Sequence, residues 1–265
     1  MRTRRSFLAV SAASLTGCLG GDGGKETNES DEDEPEYAVT TSKNTLEPPR
    51  DSLEVVVENR EESEITIPPS MEVYKDTDEG KYLVTPYIGR IEKFQERLGG
   101  PVLEPNGEHS WTFVVDNTDP DSRGRERYKH TLWGLNPGTY TAKVGYGVSE
   151  FKIEGDPVDR DKISYEIKEE DGVTEVYYEE HSLEDEVPAV RLTPTDEEGR
   201  TVIEEQLNQL GGLRDAVLYA DGGEAVVYTD EESLVGQLRV LTDIYPTEGA
   251  VIEYENETYR ARYVE

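Results

Sequence analysis

Apolar side chains in this chain come in short runs with a period of two, and that pattern limits the fold more than any other feature. Between residues 38 and 154 the runs fall at Tyr37–Thr41, Leu53–Glu58, Ile65–Ile67, Glu72–Tyr74, Trp111–Val115, Tyr140–Tyr146 and Phe151–Ile153, separated by turn-forming residues. Alternation sends every second side chain to the same face, so each run predicts a strand with one face buried and one in water. Seven short strands predict a two-sheet sandwich over residues 37–154. Trp111, Phe113 and Val115 lie two apart and fall on its core face. No run of 18 apolar residues occurs anywhere, so no segment predicts a membrane-spanning helix.

Residues 155–265 mix two periods. Residues 162–179 predict a hairpin turning at Asp171-Gly172, and Ala189–Leu192 a further strand. Val202, Ile203, Leu207 and Leu210 predict a helix over 201–210, stopped by Gly211-Gly212. Residues 213–229 predict a second hairpin. Thr229 and Glu232 form a capping box ahead of Leu234, Leu238 and Leu241, which predicts another helix. Residues 250–264 predict a third hairpin across Glu255–Glu257. Hairpins punctuated by two helices predict a small α+β domain with an antiparallel sheet.

The N-terminus has a different character. Arg2, Arg4 and Arg5 precede a short apolar stretch, the pattern of a signal segment too short to span a bilayer. Arg4 and Arg5 before Phe7 and Leu8 resemble a twin-arginine (Tat) export signal, and Leu15-Thr16-Gly17-Cys18 resembles a lipobox. The resemblance implies cleavage after residue 17, a lipid on Cys18, the only cysteine of the chain, and a place on the extracellular face of the cell membrane. Two chains on that cysteine hold a protein stably, where one acyl chain binds only reversibly. Residues 18–36 carry eight acids and one lysine, too polar to bury a core and too charged to collapse, so they predict a disordered tether. Asn28 and Asn256 each open an Asn-x-Ser/Thr sequon and are candidate glycosylation sites.

Acid dominates the whole chain. It holds 59 acids against 27 bases, a net charge of −32, and loss of residues 1–17 with three arginines makes that −35. Residues 155–265 alone contribute −21, from 30 acids and nine bases. The composition resembles that of lipoproteins of halophilic archaea, and it predicts a fold that needs salt, since counter-ions must screen the self-repulsion. Such a charge opposes binding to phosphate backbones, so nucleic acid is not an expected partner.

Three segments of the first half carry a family resemblance: LEPPRDSLEVVVENREE (46–62), LEPNGEHSWTFVV (103–115) and LNPGTYTAKVGY (135–146). They resemble bacterial immunoglobulin-like domains related to intracellular proteinase inhibitor-like modules. The match departs at Asn106, inserted between Pro105 and Gly107, and at Pro48-Pro49, where Pro-Gly is commoner. The resemblance implies an all-β immunoglobulin-like sandwich. The spacing of Leu135, Gly138 and Tyr140 suggests a tyrosine corner, in which the hydroxyl bonds to nearby backbone while the ring packs in the core.

Chemistry-bearing patterns are few. His109, His130 and His181 share no ligand spacing, no serine stands in a nucleophile elbow, and no glycine-rich loop follows a strand. Asp116, Asp119, Asp121 and Gly124 hint at a calcium loop, but Arg123 and His130 occupy positions that need oxygen ligands. Carboxylate neighbours such as Glu204 and Glu205 are too frequent in this chain to mark a site. Arg123, Arg125, Arg127 and Lys129 oppose the global charge within eight residues, either as an interaction loop or as internal neutralisation of the surrounding acid. The sequence predicts no cofactor, no metal and no catalysis. It predicts a lipid-anchored surface protein with an interaction or structural module, held to the membrane through Cys18 and meeting a protein or glycan at the cell surface. Two alternatives stand beside it: a regulator or inhibitor of extracellular proteolysis, and a hydrolase in residues 155–265.

Overall fold

Strand β3 (Arg50–Asn59) carries the alternation into three dimensions: Leu53, Val55 and Val57 are buried while Glu54 and Glu58 face solvent. In the computed structural model, which describes residues 36–85, 99–118, 130–158, 165–178, 189–209, 211–228 and 249–264, the protein is mostly β-sheet with few helices. β3 lies between β1 (Tyr37–Thr41) and β8 (Glu108–Asp116), with β9 (His130–Leu132) at the far edge, in the order β1-β3-β8-β9. A second sheet has the order β2-β11-β10-β5-β6, from Thr45–Leu46, Gly147–Ile153, Gly138–Val144, Glu72–Thr77 and Gly80–Thr85. A short pair, β4 (Ile65–Thr66) with β7 (Val102–Leu103), closes one side.

The two larger sheets share one core. Phe113 of β8 meets Phe151 of β11 with centroids 5.5 Å apart, and Tyr140 of β10 stacks on Phe151 at 5.7 Å. Each such ring contributes about 1.5–3 kcal/mol through burial. Phe113 and Val115 are buried as expected, whereas Trp111 is half-buried at the rim of that core. Most pairings are antiparallel. β8–β9 and β2–β11 are parallel, since the chain reaches each edge strand by a longer connection than a hairpin.

Residues beyond 158 form a seven-stranded sheet of order β12-β13-β16-β14-β18-β17-β15, from Tyr165–Glu170, Val173–Tyr178, Glu224–Tyr228, Ala189–Pro194, Glu257–Val264, Ala250–Tyr254 and Arg200–Thr201. It is mixed rather than purely antiparallel. β13 and β16 run parallel, as do β15 and β17, because each pair is joined through other elements and not by a tight turn. The hairpins expected at Asp171-Gly172 and at Glu255–Glu257 are present, as β12–β13 and β17–β18.

The hairpin expected over 213–229 is instead helix α2 (Gly211–Ala220) followed by strand β16, preceded by the shorter helix α1 (Glu204–Asn208). Leu213, Ala216, Val217 and Ala220 recur at spacings of three and four and are all buried, a helical stripe that the β-branched run after it obscures. Gly211 and Gly212 open α2 rather than stop a helix before it. The helix expected around Leu234–Leu241 lies outside the described residues. Sandwich and seven-stranded sheet have separate cores on either side of residues 154 and 155, yet Pro35–Glu265 forms one compact unit.

Candidate functional site

Arg4, Arg5, Cys18, Asn28, Arg123, Arg125, Arg127, Lys129 and His181 all lie outside the described residues. Asn256 lies within them, exposed at the tip of the β17–β18 hairpin. Glu255 and Asn256 both have positive φ, 51° and 71°, the backbone of a tight two-residue turn. His109 packs edge-on against Trp111 at 4.4 Å, and burial pulls the His130 imidazole down to about 4. Among the described residues no three His, Cys, Asp or Glu side chains gather as metal ligands would, and no helix is long and apolar enough to cross a membrane.

Two polar constellations emerge that sequence spacing alone does not reveal. One is a seam between α1, the start of α2 and the sandwich. Glu205, only 2% exposed, pairs with Lys75 of β5, whose ammonium also lies 5.8 Å over the Tyr140 ring. Gln206 Nε2 donates to the Leu83 carbonyl at 3.1 Å, Asn208 Nδ2 to the Gly134 carbonyl at 2.7 Å and Gln209 Nε2 to the Trp133 carbonyl at 2.6 Å. Arg214 pairs with Asp215 at 2.5 Å and lies 5.0 Å from the centroid of the buried Trp133 ring. These side chains turn their polar ends into the protein. The seam is a connector, and Glu205 belongs to it rather than to a carboxylate dyad.

The other constellation is the face of the seven-stranded sheet turned away from its helices. Val176, Val190, Leu192, Ala225 and Val227 point into the core beneath the helices, so their alternate neighbours Glu175, Tyr177, Arg191, Val226 and Tyr228 point the other way. Register places Tyr177 beside Tyr228 and Arg191 beside Arg262, with Arg260 two residues away. The two tyrosine rings stack at 4.5 Å and 5°, and the Lys168 ammonium lies 4.9 Å from the outer one. Glu175 accepts from both hydroxyls, at 2.8 Å from Tyr177 and 3.3 Å from Tyr228. Burial, then that carboxylate, holds the Tyr177 hydroxyl protonated far above its usual range, so it serves as a neutral donor at any ordinary pH.

Beside this aromatic pair the charge reverses. Arg191 is 49% exposed and touches Glu224 at 3.3 Å, Arg262 is exposed, and Arg260 pairs with Glu197. Four of the nine bases in residues 155–265 therefore occupy one sheet face. Like charges directly opposite on adjacent strands are destabilising. Two arginines kept side by side in so acidic a chain form a fork pair that can accept carboxylates or sulfates in two places each.

No family model matches the chain, and no curated protein matches it. Solved structures match only in part. An alkylpurine DNA glycosylase of Pseudomonas fluorescens, bound to abasic-site DNA, is 11% identical over 46% of this chain and 31% of its own, with a TM-score of 0.25. The β-glucosidase of Listeria innocua in complex with glucose is 16% identical over 46% of this chain and 16% of its own, also at 0.25. This chain spans well under half the length of either, and similarity at this level carries no argument about activity.

Proposed function

We propose that this chain is a lipid-anchored extracellular surface protein, exported through Arg4 and Arg5 and held by Cys18, whose body is a non-catalytic binding module. Its first half is read as an immunoglobulin-like sandwich. Two side chains support that reading. The Tyr140 hydroxyl donates to the Asn136 carbonyl at 2.7 Å, as a tyrosine corner requires. Asn59, ending β3 as the resembled motif ends its strand, reaches the carbonyls of Ser63, Leu103 and Glu104 at 2.8, 3.1 and 3.0 Å.

The binding role rests on one observation: Arg191 and Arg262 stand in register on an exposed sheet face of a strongly acidic protein. The occupant they fit is an anionic glycan of the cell surface, its carboxylates or sulfates taken by the guanidinium forks and its sugar rings lying along the Tyr177–Tyr228 edge. Titrating the full-length protein with oligoglucuronate, and with an uncharged oligosaccharide as control, tests it. Arg191→Gln with Arg262→Gln should cost about 1.5–3 kcal/mol of binding per lost charge-assisted contact and change thermal stability little. Equal binding by the double variant, or equal affinity for the uncharged sugar, refutes this role.

A further inference from the structure

The hairpin between β10 and β11 ends in a side chain the core does not use. Tyr146 is 92% exposed at the tip, and Val148, one step down β11, is 56% exposed. The base of the tip is closely packed. Gly145 has φ of +55°, and a Cβ there would lie 2.3 Å from the Tyr37 hydroxyl; one on Gly147 would lie 2.4 Å from Val39. The Tyr37 hydroxyl donates to the Val144 carbonyl at 2.9 Å. Strand β1 thus clamps the base of the hairpin, so that Tyr146 projects from a fixed backbone.

Tyr37 is also where the chain leaves the acidic residues 18–36 and enters the sheets. The end of the sandwich that carries the exposed tyrosine is therefore the end nearest, along the chain, to Cys18. On the lipid-anchor reading, the eighteen residues between Cys18 and Tyr37 reach ~60 Å at most even when fully extended, so this end stays within that distance of the surface that retains the lipid. Tethering at that range raises the effective concentration enough for a weak contact to be occupied. Lys143 stands in register with Val148 and holds Glu72 at 3.9 Å, where the Tyr74 hydroxyl also donates at 2.8 Å, while the exposed Glu150 lies two residues beyond Val148 along β11, further from the tip. Tyrosine, apolar in body and polar at its tip, partitions to the headgroup layer.

We infer that the β10–β11 tip, Tyr146 with Val148 beside it, rests in the headgroup layer of the membrane and fixes how the body stands on it. This inference rests on the lipid-anchor reading of Cys18, and the test separates the two. The lipidated full-length protein carrying Tyr146→Cys, labelled there with an environment-sensitive fluorophore, is reconstituted in vesicles of equal parts phosphatidylcholine and phosphatidylglycerol. Glu170→Cys, exposed on β12, serves as the control position. The label at 146 should shift to the blue, lose its quenching by aqueous iodide and gain quenching by headgroup-labelled lipid, while the label at 170 should do none of these. Unlabelled wild type should show slowed amide exchange over 144–148 on vesicles, and Tyr146→Ser should lose that protection. Lipid found on Cys18 by intact mass, with a label at 146 that stays fully aqueous, overturns the tip contact alone. An unmodified Cys18 overturns the anchor and the tip contact with it.

Discussion

Lys75 of β5 and Glu205 of α1, 130 residues apart in the chain, meet in a buried ion pair that ties the sandwich to the helices of the seven-stranded sheet. Glu205 is 2% exposed and Lys75 16%, so it is chiefly the carboxylate that has no water to replace its partner. A buried pair adds little net stability over a well-packed apolar pair, but losing one member strands the other.

Lys75→Met should therefore destabilise the full-length protein by about 3–5 kcal/mol, and Lys75→Met with Glu205→Leu should recover most of that loss. Denaturant unfolding of the two variants beside wild type measures it. If the single and double variants lose equal stability, the pair is not what holds the seam.

Tyr140 supports a narrower expectation. Its ring fills the shared core while its hydroxyl closes the turn at Asn136. Tyr140→Phe keeps the ring and removes one hydrogen bond, which should cost about 0.5–1.5 kcal/mol. Leucine at the same position also loses the stack on Phe151, so it should cost more. A Phe variant as unstable as the Leu variant would mean that the hydroxyl, not the packing, dominates.

The same contrast explains what the sequence made legible. Strands with one wet face, such as β3 and β8, announce themselves by alternation, and Asp171-Gly172 announces its hairpin by turn chemistry. α2 does not, because Asp221-Gly222-Gly223 between Leu213–Ala220 and Val226-Val227 reads as the turn of a hairpin, and a short apolar stretch before it reads equally well as strand. The mixed order of the last sheet is invisible for another reason. Periodicity tells which residues share a face of one strand and nothing about which strand lies alongside. Arg191 and Arg262 are 71 positions apart in the chain, and only the β14–β18 register brings them together. The seam was hidden for the same reason: Glu205, Gln206, Asn208 and Gln209 look like an ordinary polar helix surface until Leu83, Trp133 and Gly134 are placed opposite them.

His130 makes stability depend on pH. Burial disfavours its charged form, bringing its pKa from 6.5 to about 4 in the folded protein. Between those values the unfolded chain binds a proton that the folded one does not, so stability falls as pH falls from about 6.5 to about 4 and this contribution levels off below. His130→Gln removes the proton-binding group. The difference in melting temperature between wild type and variant should therefore move in favour of the variant across that window. A difference that stays constant with pH would show that His130 titrates alike in both states.

The acid surplus predicts how the fold responds to salt. Residues 155–265 carry three times the net negative charge of residues 38–154, −21 against −7, so self-repulsion is stronger in the second half of the chain. It weakens as the Debye length shrinks from about 8 Å at physiological ionic strength to about 3 Å at 1 M. Circular dichroism of the full-length protein should show the melting temperature rising with added potassium chloride through the molar range. Screening also predicts where mutation helps. Glu169 and Glu170 are exposed next to Asp171, a run of three acids at the β12–β13 turn. Glu169→Gln with Glu170→Gln should raise stability by about 0.5 kcal/mol in dilute buffer, the scale of interactions between exposed charges, and change it little at 1 M salt. An increment that persists undiminished at high salt would point to altered strand propensity instead of relieved repulsion.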